Sequence, residues 1–465
     1  MKETTTLNKL LESTSKKKIF LLGREGIFTN KEINRFFKQY NTKIVLDYEN
    51  NISAIIEHNI LNPFEEDISN LAYENGTTTY KLKELEKLIS KSINDDELLM
   101  GIKLANDSSR IFRLLGNIHI NNSLFVKLLS LYEWDDEDED SREDRDVIMY
   151  TLRRYIKIKP NEEDLLYSYL TLRRLATEAE DSELLLALIR FPNFEFMVRG
   201  KEKITLRETV ARNKNINDKV ISKLIFLKDS KVNISLASNS NIPSSVLEKF
   251  LLKNDKNINK SLATNSNIDN AIFNELLYKD TNVIELLLIW QEIDLERLRH
   301  VEQKKFNDEL FSILGANEKL TKECIQKLLK LSNIQLLINI CQNSIVEPKE
   351  LEKIYTIGRG ETFANLAINP STPTLLLQEL YEKNIDNIEM LSALAHNKNL
   401  PQNLLKSLYD KDSFTINKGL STNPSLPIEL LDNLKIDTRL QNYLAQNPIF
   451  IEEYESILDF DGRGI

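Results

Sequence analysis

From about residue 205 onward the apolar positions fall into a frame that returns again and again. Leu236-Ala237-Ser238-Asn239-Ser240-Asn241-Ile242-Pro243-Ser244-Ser245-Val246-Leu247-Glu248-Lys249-Phe250 is one copy. Leu366-Ala367-Ile368-Asn369-Pro370-Ser371-Thr372-Pro373-Thr374-Leu375-Leu376-Leu377-Gln378-Glu379-Leu380 is another. Both read L-A-x-N, then a short polar stretch, a mostly apolar residue, proline, and a second apolar run. The frame fits the segments around Asn213, Asn265, Asn317, Asn343, Asn397, Asn423 and Asn447, and one unit places Trp290 in the asparagine slot. Successive slots are 26, 26, 25, 27, 26, 26, 28, 26 and 24 residues apart, a period that marks stacked repeats.

The chemistry of one unit predicts two short helices. Ile234, Leu236 and Ala237 stand at helical spacing before the slot and make the first. Asparagine tolerates the left-handed conformation and is expected to end that helix there. Pro243, Pro373, Pro401 and Pro427 come four residues later and are expected at the first position of the second helix, where a missing N–H costs nothing. Val246, Leu247 and Phe250 then share a face, and a polar loop such as 253–257 leads onward. The alanine before the slot lets neighbouring helices approach closely. A unit this small cannot bury its own apolar face, so the units must stack, and the predicted fold class is an α-helical solenoid of ~26-residue two-helix repeats.

The pattern, clearest at 366–380 and 420–434, resembles the leucine-rich repeat variant family, an all-helical solenoid related to HEAT and armadillo arrays. The resemblance covers about 205–450. The longer period here leaves room for a more HEAT-like helical pair. Some members of that family carry a cysteine-rich iron–sulfur segment. This chain has no such cluster, and that chemistry is not carried over.

An outlying copy, Leu114-Leu115-Gly116-Asn117-Ile118-His119-Ile120, places the start of the helical part near residue 93. Residues 147–204 read as helices outside the frame, either degenerate units or an insert. Residues 133–146 are strongly acidic. Counted from Asp136 as a calcium loop, position six is Ser141 rather than glycine and position twelve is Val147 rather than glutamate, so a solvated acidic loop is the plainer reading.

The first ninety residues follow different rules. Ile19–Leu22, 43–48, 52–56 and 77–82 are strand-like, and helices are expected at 30–40, 64–74 and 83–90. The order β-α-β-β-α-β-α predicts a small sheet with helices on both sides. Phe20-Leu21-Leu22-Gly23, the strand pair at 43–56, and Ala72 with Asn75-Gly76 resemble the BRCT family, including the version appended to bacterial NAD-dependent DNA ligases. The resemblance spans about 16–92. Phosphopeptide-binding members have Ser or Thr where Leu22 stands, a lysine on the helix that here begins Glu65-Glu66-Asp67, and a tryptophan in the last helix, where Leu85 and Leu88 stand instead. Gly23 accordingly reads as a turn glycine rather than a phosphate contact. The expected organisation is 1–92 BRCT-like α/β, 93–204 helical with the acidic loop, and 205–465 repeats.

Composition narrows the chemistry. Among 465 residues there are 12 glycines, too few for a glycine-rich nucleotide loop to be expected. The two cysteines, Cys324 and Cys341, occupy core slots of the frame and exclude a disulfide framework or a four-thiolate site. The four histidines are scattered, with His396 just before a slot asparagine and His300 at a position read as exposed. No catalytic motif appears. We expect no enzyme, no cofactor and no metal. Lys16-Lys17-Lys18 precedes an apolar run too short for a signal peptide, no run is long enough to span a bilayer, and a cytoplasmic location is expected.

A net charge of −10 weighs against binding nucleic acid by bulk charge. Lys127, Lys223, Lys249, Lys327 and Lys353 nevertheless share the position ten residues after the slot. Stacking would align such a row, as a track for an acidic partner or a nucleic-acid backbone. Glu275 and Glu379 interrupt it, which favours a merely solvated face. The expected function is a non-enzymatic protein–protein interaction scaffold, with unknown protein partners and no membrane. The alternative is a nucleic-acid-associated binding protein of the repair or maintenance kind, using the lysine row and the BRCT-like domain, as the BRCT resemblance and the existence of HEAT-like DNA-repair enzymes suggest.

Overall fold

The computed structural model describes residues 6–23, 26–49, 51–58, 60–105, 107–135, 141–157, 169–197, 203–331 and 333–450. The chain divides into two compact units, Met1–Val232 and Asn233–Ile465.

The first unit opens with a helix that the strand-and-helix reading above did not include, α1 (Leu7–Glu12). Leu7 and Leu11 lie one turn apart and are both buried. The buried Lys17 ammonium caps the end of this helix, donating to the Leu11 and Ser13 carbonyls at 2.9 and 2.5 Å. The elements that follow are β1 (Lys17–Leu22), α2 (Asn30–Gln39), β2 (Thr42–Val45), β3 (Ala54–Glu57), α3 (Pro63–Glu74), β4 (Thr79–Lys81) and α4 (Leu82–Ser92), in the expected order. All four strands are parallel, ordered β2-β1-β3-β4.

The sheet is covered on both faces, as parallel sheets require. Phe20 aligns with Val45 and Ile55, and these pack with Leu22 against Ala72 and Ile68 of α3. Alternation turns Ile19 and Ile56, both buried, to the opposite face. There α2 and α4 pack on the strands and on each other. Helices α2 and α3 each begin with a capping box, Thr29 with Glu32 and Asn62 with Glu65. Gly23 follows β1 with φ +101°, and a Cβ there would lie 2.7 Å from the His58 Cβ. Turn geometry alone therefore demands glycine at this position.

Glu32 does a second job. The guanidinium of Arg110, only 6% exposed, donates to both of its oxygens at 2.6 and 2.7 Å. The pair ties α2 to the helix Ser108–Leu115, so the sheet and the first helical hairpin share a buried ionic joint.

The remaining helices of this unit pair in sequence. Tyr169–Glu178 packs on Leu206–Ala211, and Ser182–Ile189 packs on Asp218–Phe226. The stretch 147–204 is not wholly helical, however. Glu195–Met197 and Lys203–Thr205 form a two-stranded antiparallel ladder. Phe196 and Ile204 face each other and are buried while Glu195 and Met197 are exposed, a period of two that the helical reading overlooked. Part of the 147–204 stretch, at 158–168, and the heart of the acidic loop, at 136–140, lie outside the described residues.

The second unit is a succession of helical hairpins. First helices include Lys256–Thr264, Thr281–Trp290, Ile334–Gln342, Glu361–Ile368, Ile388–Ala395 and Phe414–Thr422, the last three packed each on the next. Second helices include Ser244–Leu252, Asn270–Leu276 and Leu295–Gln303, likewise packed in order. The residue three before each slot, such as Leu236, Leu262, Leu314, Leu366 and Leu420, is fully buried. So is the second-helix residue eight after it, as in Leu247, Phe273, Leu351, Leu377, Leu405 and Leu431.

Pro243, Pro373, Pro401 and Pro427 sit one residue earlier than expected, as extended N-caps with φ between −55° and −59°. Where the slot lacks proline, Asp269, Asp294 or Thr321 takes it and its side chain accepts a backbone N–H. Proline and capping residue are alternative ways to fix the same entry angle.

Replacing Arg110 with alanine strands the Glu32 carboxylate and should cost the first unit about 3 kcal/mol. The same change at Arg35, whose ion pair with Glu97 is exposed on both sides, should cost under about 0.5 kcal/mol. Urea unfolding of the two variants measures the contrast.

Candidate functional site

The slot asparagines do not adopt the left-handed conformation. Asn265, Asn317, Asn343, Asn369 and Asn423 are extended, with φ from −62° to −79° and ψ from 112° to 124°. Extended backbone turns the chain off the helix axis and throws the carboxamide sideways onto the preceding repeat. The left-handed positions belong to the opposite turn, after the second helices, at Asn254, Lys305 and Asp412.

Each carboxamide closes two sets of bonds. Its Oδ1 accepts the N–H two residues on, at 2.6–3.1 Å, in Asn117, Asn213, Asn239, Asn265, Asn317, Asn343, Asn369, Asn397, Asn423 and Asn447. That bond holds the tight turn. In the second unit its Nδ2 donates to two backbone carbonyls of the repeat before. Asn265 reaches Ala237 and Asn239, Asn343 reaches Gly315 and Asn317, and Asn397 reaches Ala367 and Asn369. Asn369, Asn423 and Asn447 repeat the pattern on Cys341 and Asn343, Ala395 and Asn397, and Ser421 and Asn423. One rung supplies the acceptor for the next, so the amides form a continuous ladder.

The ladder corrects the assignment of Trp290. Gln291, 1% exposed, is the rung: its Nε2 donates to Ala263 and Asn265 at 2.8 Å each, and Asn317 in turn bonds Leu288 and Gln291. Trp290 is half exposed. The turn after Gln291 is one residue shorter than its neighbours, with Ile293 rather than a residue three along packed in it, and the extra methylene of glutamine makes up the reach. The missed signal was the period itself, since 265, 291 and 317 are evenly spaced by 26 where a slot at 290 gives 25 and 27.

In the first unit the same amide geometry appears twice. Asn213 donates to the carbonyls of Ala176, Thr177 and Ala179, so the hairpin 169–189 serves as its preceding repeat. Asn117 donates instead to the Ser90 hydroxyl. An arginine also locks one turn in each unit. Arg154 bonds the Ile120 carbonyl and Asn122 and lies over Phe125, and Arg297 bonds the Ile268 carbonyl and Asn270 and lies over Phe273.

The lysine row is less uniform than its spacing suggests. Lys127 pairs with Asp96 at 3.4 Å and Lys327 with Glu302, each on the helix pair before. Lys223 lies over the Phe226 ring, and Lys249 and Lys353 are exposed. A second basic row, fourteen residues after the slot, went unnoticed in the sequence: Lys253, Lys279, Lys305, Lys383 and Lys411. Several members reach back across one repeat, Lys279 to Asn254, Lys383 to the Tyr355 hydroxyl and Lys411 to the Ile385 carbonyl. A lysine there also favours the helix C-terminus.

Burial pushes the Cys341 thiol up to about 12 and raises that of Cys324 as well. Tyr132 is raised by burial and by Asp144, whose carboxylate accepts its hydroxyl at 2.6 Å. His300 is half-buried at the end of its helix rather than exposed, and His396 follows Ala395 at a helix end. Among the described residues no group of three or more His, Cys, Asp and Glu is arranged to hold a metal ion, and no helix is long and apolar enough to cross a membrane.

Comparison of the chain with protein-family models, with curated proteins and with solved structures gives no match in any of the three.

Asn343→Leu leaves two buried carbonyls and one N–H without a partner and should cost at least about 3 kcal/mol, at about 1–3 kcal/mol for each orphaned group. Asn343→Ser, which can restore the turn bond alone, should recover part of that in thermal unfolding. Because both thiols are raised in the fold, the unfolded chain ionises first as pH climbs past 9, and stability falls from there toward pH 12. At pH 8 iodoacetamide should label neither cysteine until denaturant is added, as mass spectrometry of the intact protein reads directly.

Proposed function

We propose that the chain is a non-enzymatic scaffold whose helical array docks other proteins. The observation that carries this reading is the recurrence of exposed apolar residues at the ends of the second helices. In the second unit Leu252, Tyr278 and Ile436 stand thirteen residues after their slots and Leu331 and Ile357 fourteen, with exposures of 83, 73, 81, 46 and 43%. Phe226 stands thirteen after its slot in the first unit. Scattered surface leucines need no explanation, whereas apolar side chains returning at the same end of several hairpins make a surface of the kind that partners cover. The stack does not need them, since the amide ladder and the buried leucines already hold it.

The family readings stay at the same level. The repeat frame supports a leucine-rich repeat variant or HEAT-like assignment for about 205–450. The all-parallel order β2-β1-β3-β4 with helices on both faces supports a BRCT-like assignment for about 16–92. The nucleic-acid alternative draws on the lysine rows, but Lys127 and Lys327 spend their charge on carboxylates, and other lysines tie adjacent repeats. Protein docking is therefore the stronger reading.

Affinity capture from the native cell with the wild-type chain and with a Leu252→Asp/Tyr278→Asp variant tests it. Both positions are exposed, so the variant should fold, with unchanged circular dichroism, and lose most of the captured protein. Steeply salt-dependent binding of DNA or RNA, with capture indifferent to the two substitutions, would establish the alternative instead.

A further inference from the structure

The sheet of the first unit winds in both directions. From β1 the chain moves outward to β2, then crosses to β3 on the other side of β1. Helix α2 covers one face and α3 the other, so the loops that leave the carboxyl ends of β1 and β3 part. A crevice of about 620 Å3 opens there, bordered by Gly26 and Ile27 from one loop and His58 and Leu61 from the other. Open parallel sheets take their ligands at such a switch point. The two strand ends are held side by side up to its edge, where the His58 N–H donates to the Leu22 carbonyl at 2.9 Å.

The lining is divided in character, and all of it lies among the described residues. Ile27 and Leu61 are half-buried and Leu82 is buried, which gives one apolar side. The two carboxylates are engaged in holding the walls. Glu65 accepts the Asn62 N–H at 2.8 Å in the first turn of α3, and Glu86 accepts the Ile27 N–H at 2.9 Å. The cations are not engaged. Lys83 and Arg113 are exposed at the mouth, and neither bonds or pairs with a described residue. The His58 Nδ1 accepts the Ile60 N–H at 3.2 Å, so its proton sits on Nε2, which is left as a donor. No side chain caps α4, whose first residues, Leu82 and Lys83, border the crevice.

We infer that this crevice binds a small molecule with an anionic head group, a carboxylate or a phosphate, on an apolar body. Lys83, Arg113 and the His58 Nε2–H hold the head at the mouth, and the body lies against Ile27, Leu61 and Leu82. The volume suits a metabolite-sized ligand with a few placed polar contacts. None of the three donors stands where the BRCT resemblance would put a phosphate contact, at position 22 or on α3. The site is independent of the docking surface proposed above.

Naphthyl phosphate and naphthoate carry the two heads on one apolar body, and neutral naphthalenemethanol carries neither. Titrated against the full chain by fluorescence, at least one anion should bind saturably and one-to-one, at least about tenfold tighter than the alcohol. Lys83→Gln with Arg113→Gln should weaken it at least about tenfold, with circular dichroism unchanged. Lys38→Gln with Lys103→Gln makes the same change in net charge at exposed positions outside the crevice and should alter binding less than about twofold. Should the first pair disturb the fold, Lys83→Gln alone provides a second variant, expected to weaken binding about threefold. Equal binding of alcohol and anions, equal losses from the two pairs, or no loss with Lys83→Gln and Arg113→Gln would overturn the proposal. So would a phosphoserine peptide that binds more tightly than naphthyl phosphate and is lost with the same pair, since the crevice would then belong to a modified protein.

Discussion

The stack depends on one interaction, the buried carboxamide that spans two repeats. A helix that ends against a neighbour leaves carbonyls with no partner in its own backbone, and burying them unpaired is costly. Here the amide of the next repeat supplies the missing donors. Its own oxygen closes the turn in which it sits, so each group in the set is satisfied. The residues are buried to 0–4% at Asn265, Gln291, Asn317, Asn343, Asn369, Asn397, Asn423 and Asn447, which only this pairing makes tolerable.

Two consequences follow for the rest of the array. The ladder holds neighbouring backbones at hydrogen-bonding distance, so the residue two before a slot asparagine is small, as Ala237, Ala263, Gly315, Cys341, Ala367, Ala395 and Ser421 are. The Gln291 rung, with Ile289 there, offers the Leu288 carbonyl instead. At Gly315 an added Cβ would lie 2.7 Å from the Leu336 carbonyl oxygen, which shows how close the approach becomes. The period near 26 is then set by the length of chain needed to leave one rung and return to the next. Residues that take no part in ladder or core are free to vary, and the exposed apolar residues at the ends of the second helices lie among them.

Much of this was legible before any coordinates. Identical slot residues at a steady period fix the hairpins, because a two-helix unit that cannot bury its face must stack. The order of elements in the first ninety residues was readable from apolar runs and Asn-Gly turns. What escaped is instructive. The backbone of the slot asparagine was misjudged because the left-handed ending is only one common way for a helix to stop, and here the carbonyls of the neighbouring repeat favour the extended one. Gln291 was passed over for Trp290 because the second-helix frame, shifted by the shortened turn, points one residue early. The hairpin at 195–205 is too short for its alternation to stand out among helices.

Side-chain amide exchange is the most direct test of the ladder. With asparagine and glutamine labelled for NMR, the Nδ2 and Nε2 protons of Asn265, Gln291, Asn317, Asn343, Asn369, Asn397, Asn423 and Asn447 should exchange orders of magnitude more slowly than those of exposed asparagines such as Asn257 and Asn403. Uniformly fast exchange across all carboxamides, in a protein still fully helical, would contradict the account.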